Sequence, residues 1–211
     1  AADKMAAGDF NVTIDSGGSG KLGALAKALA ALQSKAVDSS GQLAAIGKAQ
    51  AVIEFGLDGK ILTANDNFLN TLGYTLAEVK GQHHSMFVDP AYRSTSDYRA
   101  FWEKLGRGEY DAGQYKRIGK GGKEVWIQAS YNPIMNMDGK PFKVVKYATD
   151  VTAQVKEADM LKLAVEQTQE VVGFAKEGDL SHRVAMEGKT GAIKALIGGR
   201  IVQHHRATFH R

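Results

Sequence analysis

The sequence predicts an α+β domain: a five-stranded antiparallel sheet with helices on one face, flanked by long helices on both sides. Three observations carry that reading. The apolar period shifts from helical to strand-like near residue 51 and returns to helical near residue 151. Asp58-Gly59 and Asp138-Gly139 stand between apolar runs, the strongest short signal for a hairpin turn. The elements between those limits run as two strands, short helices, one longer helix and three more strands.

The order of elements follows from the residues. Leu22, Leu25, Leu29 and Leu32 form a narrow stripe in an alanine-rich stretch, the seam of a coiled coil or small bundle. Gly41 and Gly47 loosen that pattern. Ala51-Val-Ile-Glu-Phe is a strand, Leu57-Asp-Gly-Lys its turn, and Ile61-Leu-Thr-Ala the returning strand. Asn65 and Asp66 are natural helix caps, and Thr75 with Glu78 makes a capping box. Tyr92 to Leu105 carries Tyr98, Phe101, Trp102 and Leu105 as one helical stripe. Tyr110–Ile118, Glu124–Ile134 and Lys143–Thr149 are the last strands, with turns at Gly119-Lys-Gly-Gly and Met137-Asp-Gly-Lys. Val151, Ala158, Val165 and Val172 then recur every seven residues, with Leu161, Thr168 and Ala175 beside them, as in a coiled coil.

Composition removes several function classes. There is no cysteine, which excludes disulfides, thiolate metal sites and a flavin–thiol photoadduct, and fits a reducing cytoplasm. No apolar run reaches the roughly 18–20 residues of a membrane span. The net charge of +4 falls to +1 without Arg200, Arg206 and Arg211. The tail 200–211 breaks the preceding pattern and reads as an artificial or read-through addition. Nucleic acid is therefore not an expected partner. Ser16-Gly-Gly-Ser-Gly-Lys-Leu lacks the outer Gly and the Ser/Thr of a phosphate loop. No catalytic triad or paired-carboxylate site stands out, so an enzyme is not expected. Lys116, Arg117, Lys120 and Lys123 read as a solvated hairpin turn.

The segments Ile61-Leu-Thr-Ala-Asn-Asp-Asn-Phe, Leu72-Gly-Tyr-Thr-Leu-Ala-Glu-Val-Lys-Gly, Ile118-Gly-Lys-Gly-Gly-Lys-Glu-Val-Trp-Ile and Ala148-Thr-Asp-Val-Thr resemble a PAS domain. Gly81-Gln-His-His-Ser-Met-Phe-Val-Asp-Pro resembles the PAS domains of bacterial methyl-accepting chemotaxis receptors that sense energy or oxygen. Gly8-Asp9-Phe10 and Gly178-Asp179-Leu180, each followed by a new helical pattern, resemble HAMP units. The resemblance implies a partial HAMP-like unit at 1–40, a PAS sensor at 42–152, a signalling helix at 153–176 and the start of a second HAMP-like unit at 177–199. The seams at Leu22–Leu32 and Val151–Val172 lack an internal partner in sequence and so predict a homodimer, expected in the cytoplasm. The resemblance implies that it passes its state to a chemoreceptor output domain and its histidine kinase complex.

The candidate site residues are Asn65, Asn67, His83, His84, Trp102, Tyr115, Trp126 and Asn132. Adjacent histidines diverge in direction, so His83 and His84 do not readily share one metal, though either is a candidate axial ligand of haem b. The aerotaxis transducer family, which binds FAD, implies a flavin role for Trp102 and a matching Asn-Asp pair at Asn65-Asp66. That family's Arg-His-Pro-Asp run reads Val88-Asp89-Pro90-Ala91 here. FAD, haem, a small organic ligand and a packed interior without a cofactor all stay open at this point. Asp150 and Thr152, at the start of the last helix, are the expected signal-relay residues, placed to cap it.

Overall fold

A 30-residue helix, α1 (Gly20–Ala49), leads into the sheet. It runs through Gly41 and Gly47 without a break, whereas the sequence reading ends the first helical module near residue 40. Each glycine costs a helix about 1 kcal/mol against alanine. The surrounding run of alanines and long side chains outweighs that. The computed structural model of the chain describes Lys4 and residues 12–14, 19–179 and 181–184. It divides into two units, Ala1–Thr149 and Asp150–Arg211.

In the first unit, β1 (Ala51–Phe55) and β2 (Ile61–Ala64) form a hairpin around Asp58-Gly59. Gly59 takes φ of 76°, and a Cβ there would collide with His83 Nε2. Glycine is thus required twice over, by the turn and by the histidine packed on it. Helices α2 (Asp66–Leu72) and α3 (Leu76–Val79) follow, then a 3-10 turn at His84–Phe87. The expected capping box is present, with Thr75 N–H donating to Glu78 at 2.9 Å.

The stripe from Tyr92 to Leu105 is not one helix. It splits into α4 (Pro90–Arg93) and α5 (Ser96–Gly106). Thr95 is the reason, since its hydroxyl accepts the Tyr98 N–H and starts a new helix. The remaining strands are β3 (Asp111–Ile118), β4 (Glu124–Met135) and β5 (Pro141–Asp150). The sheet order is β2-β1-β5-β4-β3, antiparallel at the β1–β2, β1–β5 and β3–β4 pairings. Phe68, Leu69, Leu72, Val79, Phe87 and Leu105 of the helical layer pack on Ile53, Phe55, Val125, Ile127, Tyr131 and Val144 of the sheet. Burying each such side chain contributes about 1.5–3 kcal/mol.

In the second unit, α6 (Thr152–Lys176) starts where Asp150 Oδ1 accepts the Thr152 N–H at 2.8 Å. Ala164 is buried against Met160 and Val184. The predicted seam residues Ala158, Leu161, Val165, Val172 and Ala175 lie on the exposed part of α6, while Thr168 is half-buried. Asp179 Oδ1 accepts the Ser181 N–H at 2.9 Å. Of the HAMP-like reading at 1–40, the structure describes Lys4, residues 12–14 and the stretch from residue 19 that includes the first part of α1; the reading at 177–199 falls largely outside the described residues, and the tail 200–211 falls wholly outside them.

Candidate functional site

Strand alternation decides which side chains enter the interior. On β4, Val125, Ile127, Ala129 and Tyr131 are buried, and Trp126, Gln128, Ser130 and Asn132 alternate with them. On β5 the inward set is Val144, Lys146 and Ala148. On β3, Asp111, Tyr115 and Arg117 lie opposite Tyr131, Ile127 and Val125, and so share their face. The helical layer adds His84 from the 3-10 turn and Tyr98, Phe101 and Trp102 from α5.

His84 is held from its backbone, where its N–H donates to Gly59 O at 2.9 Å. Its ring is fully buried. Nδ1 lies 2.9 Å from the Tyr98 hydroxyl and Nε2 lies 3.0 Å from the Tyr131 hydroxyl. Arg117 Nη2 donates to the same Tyr131 oxygen at 3.0 Å. Neutral His84 supports all three contacts in either tautomer: Tyr131 donates to Nε2 while Nδ1–H donates to Tyr98, or Tyr98 donates to Nδ1 while Nε2–H donates to Tyr131, and Arg117 donates to the Tyr131 oxygen in both. Burial holds His84 well below the usual histidine range, and the positive charges of Arg117 and Lys146 push the same way. Burial also raises Tyr98, to about 12, and raises Tyr131. The hydroxyls and the imidazole are therefore neutral at physiological pH.

Aromatic rings surround this hub. His84 stacks on Tyr98 and Phe101 and meets Phe55, Trp102 and Tyr131 edge-on. Lys146 Nζ lies 4.8 Å from the Tyr131 ring centre and 5.5 Å from that of Phe68. Two buried donors, Trp102 Nε1 and Arg117 Nε, have no well-formed hydrogen bond among the described residues, although Trp102 Nε1 is near enough to the Tyr98 hydroxyl to favour its ionised form. Tyr115 lies at the edge of the hub, with its hydroxyl donating to Asp111 Oδ2 at 2.5 Å and Arg117 above its ring.

The candidates named from sequence divide into three groups. His84, Trp102 and Tyr115 come together in the interior. His83 lies beside it and caps the 3-10 turn, its Nδ1 accepting the Ser85 N–H at 3.1 Å. Asn65 and Asn67 are engaged at the end of α1. Asn65 Nδ2 donates to Gly47 O and Gln50 O, and its Oδ1 accepts the Val52 and Phe68 N–H groups. Asn67 Nδ2 donates to Gly47 O, Lys48 O and Gln50 O. Trp126 and Asn132 stand on the opposite sheet face, where Asn132 Nδ2 donates to Ser130 Oγ. Arg117 corrects the sequence reading, being 5% exposed and part of the interior rather than of a solvated turn. Lys146, Tyr131 and Tyr98 were missed, although Lys146 shares its strand parity with Val144 and Ala148.

The donor set can be weighed against the open cofactors. Haem needs an imidazole nitrogen free to meet iron. Both nitrogens of His84 are occupied by tyrosines, so His84 as placed does not fit haem, while His83 Nδ1 is engaged by Ser85 and its ring packs beside Gly59. A flavin ring needs aromatic walls and N–H donors toward its nitrogen and carbonyl edge. Phe55, Phe101, Trp102 Nε1 and Arg117 Nε supply groups of that kind and fit it. Among the described residues there is no cluster of three or more His, Asp or Glu side chains placed to hold a metal, and no helix long and apolar enough to cross a membrane.

Comparison with known proteins places residues 61–148 in the PAS fold family. The chain carries a PAS domain. It is 40% identical over 172 residues to the biofilm dispersion protein BdlA of Pseudomonas aeruginosa, which covers 77% of this chain and 41% of that protein. It is 34% identical over 84 residues to the aerotaxis receptor of Escherichia coli K12, covering 40% of this chain and 16% of the receptor. The chain thus spans less than half the length of either relative. Among solved structures, the PAS domain of a Colwellia psychrerythraea protein aligns with a TM-score of 0.44 at 20% identity, over 49% of this chain and 87% of that one.

Proposed function

We propose that this chain is the sensory and relay segment of a chemoreceptor-type signalling protein. Its PAS interior holds a ligand or a redox cofactor and passes that state to the helices on either side. The observation that carries the reading is the buried hub of His84, Tyr98, Tyr131, Arg117 and Lys146. A purely structural core has little use for five polar groups that include two basic side chains. The name of the aerotaxis receptor, a relative over the PAS segment, supports an energy- or oxygen-linked signal. FAD is the cofactor reading; bound there it would supply reversible electron transfer. Trp102 and Arg117 would orient it through their unpartnered donors, while Phe55 and Phe101 would wall it from water.

Two paths lead out of the domain. Asn65 and Asn67 tie the sheet and α2 to the carbonyls at the end of α1. Asp150 fixes the start of α6. On this reading the chain acts as a homodimer in the cytoplasm, reaches a histidine kinase complex through an output domain, and catalyses no reaction itself. The interaction-module reading, without a cofactor, has one observation in its favour: Phe55, His84 and Tyr131 fill their space at 0% exposure. A fusion of the chain to a chemoreceptor output domain separates the two readings. Kinase control that follows redox poise, with flavin absorbance near ~450 nm in the same protein, is the expected result. Kinase output that stays constant across redox poise and across added small organic ligands, with no visible absorbance, overturns the sensory reading.

A further inference from the structure

Lys146 sits mid-strand on β5, 1% exposed. Arg117 enters the same interior from β3, 5% exposed. Neither has a carboxylate within ion-pair distance among the described residues. Asp111, on their sheet face, is held by Lys104 Nζ at 2.7 Å and by Tyr115. Glu54 pairs with Lys143 instead, at 2.7 Å. Arg117 Nη1 and Nη2 donate to Lys116 O and Tyr131, while Nε donates to nothing. Trp102 Nε1 is a second buried donor without a well-formed hydrogen bond among the described residues, its nearest acceptor being the Tyr98 hydroxyl that His84 already engages. The interior therefore holds more positive charge and more N–H groups than it has acceptors.

Loss of the Lys146 proton does not remove the surplus. Burial, and after it the Arg117 charge, holds Lys146 well below the usual lysine range. Arg117, however, stays protonated at any accessible pH, and its Nε stays unpartnered whichever form Lys146 takes. A buried guanidinium with one free N–H asks for an oxygen anion.

We propose that the PAS interior binds a small carboxylate-bearing organic molecule, with its negative group on Arg117 and Lys146 and its apolar body against the Phe55, Phe101 and Trp102 rings. The two oxygens of a carboxylate match the forked donors of a guanidinium. The ring walls favour a short, largely apolar body. A phosphate ester fits less well, since its second charge and tighter water shell would have to be matched by more donors than two side chains supply. The inference rests on the reading of this interior as a ligand site and takes the ligand arm of that reading: a carboxylate seated on Arg117 uses the donor and the ring walls a flavin would need, so the two occupants exclude each other.

The test is thermal unfolding and titration calorimetry on the full chain with sodium acetate, succinate, benzoate and phenylacetate, at ionic strength fixed with chloride. Benzamide serves as the uncharged control. The expected result is a saturable rise in the unfolding midpoint with at least one of the four and none with benzamide. Binding should be roughly 10–100-fold weaker in Lys146→Met, the change expected from one charged hydrogen bond. Lys146→Met removes a buried amine and should fold at least as well as the parent. Arg117→Lys, which keeps the charge and loses the fork, gives a second measure. No response to any of the four salts, or an undiminished response in Lys146→Met, overturns the proposal. Carboxylate binding without any change in kinase output from the fusion would leave this inference standing and remove the sensory reading. Redox-linked kinase control without carboxylate binding would do the reverse.

Discussion

The Tyr131 hydroxyl joins three elements, since it accepts from Arg117 of β3, meets His84 of the 3-10 turn, and belongs to β4. Tyr131→Phe leaves the ring packing in place and strands two buried groups. It should cost about 1–3 kcal/mol, the desolvation penalty of an unmatched polar group, and urea denaturation will read it. A loss below a few tenths of a kcal/mol would mean that water replaces the hydroxyl. His84 sets a second expectation. Its folded-state pKa is depressed, mainly by burial, so the folded chain refuses a proton that the unfolded chain accepts below about 6.5. Stability is unaffected by His84 at alkaline pH and falls as pH drops through that value, by up to about 1.4 kcal/mol per pH unit. Unfolding free energies between pH 5 and 7 should show a shallower slope in His84→Phe; parallel slopes would exonerate His84. Little of this hub was legible in the sequence. Arg117 was obscured by Lys116, Lys120 and Lys123, whose charges made the whole segment read as solvent-facing. Lys146 was visible only by parity, and strand parity becomes trustworthy only once the register with Ile53 is known. The divergence of His83 and His84 was legible, because neighbouring side chains leave any backbone in different directions.

Strands and turns were read closely because their signals are local. Asp58-Gly59 and Asp138-Gly139 fix their hairpins by backbone conformation alone, with φ of 76° and 72° at the glycines. Helix limits were read less well. The break at Thr95 depends on one hydroxyl, and the passage of α1 through Gly41 depends on summed propensity. The Asn65 and Asn67 clamp was invisible, because its acceptors lie about 15–20 residues away in sequence. Asn65 both caps α2 and holds the end of α1. Asn65→Ala should therefore cost about 0.5–2 kcal/mol as a lost cap, and should also speed amide exchange around Ile46–Gln50. Faster exchange confined to α2 would show that α1 is anchored by Asn67 alone. At the other end, Asp150 accepts the first N–H of α6. Asp150→Ala should cost a similar amount, leave ligand binding intact, and uncouple kinase control in the output-domain fusion. A variant that binds and still switches normally would reduce Asp150 to a local cap.

Across the whole chain, the largest unexplained feature is the apolar surface of its two long helices. On α1, Leu22, Leu25 and Leu32 are 80%, 57% and 63% exposed, although their spacing is that of a buried seam. On α6, Leu161, Val165 and Val172 are each 47% exposed, on the residues that repeat every seven. A single surface leucine needs no explanation, but a periodic stripe along a helix does. Each helix taken alone gains little from propensity and needs a packed face to persist in water. A second copy of the chain would supply that face with the same spacing, and two-fold pairing is the commonest way to close such a contact. The full chain should therefore run as a dimer in light scattering at micromolar concentration. Leu25→Glu with Leu32→Glu, and separately Leu161→Glu with Val165→Glu, place like charges across the seam and should shift the chain toward monomer. Neither pair touches the PAS interior, so near-ultraviolet circular dichroism of its aromatic rings should be unchanged. If both double variants remain dimeric, the contact lies elsewhere on the chain, and the outer face of the sheet bearing Trp126 becomes the surface to mutate. If only the α6 pair breaks the dimer, α6 is the arm through which two PAS domains would set the rotation of a shared output.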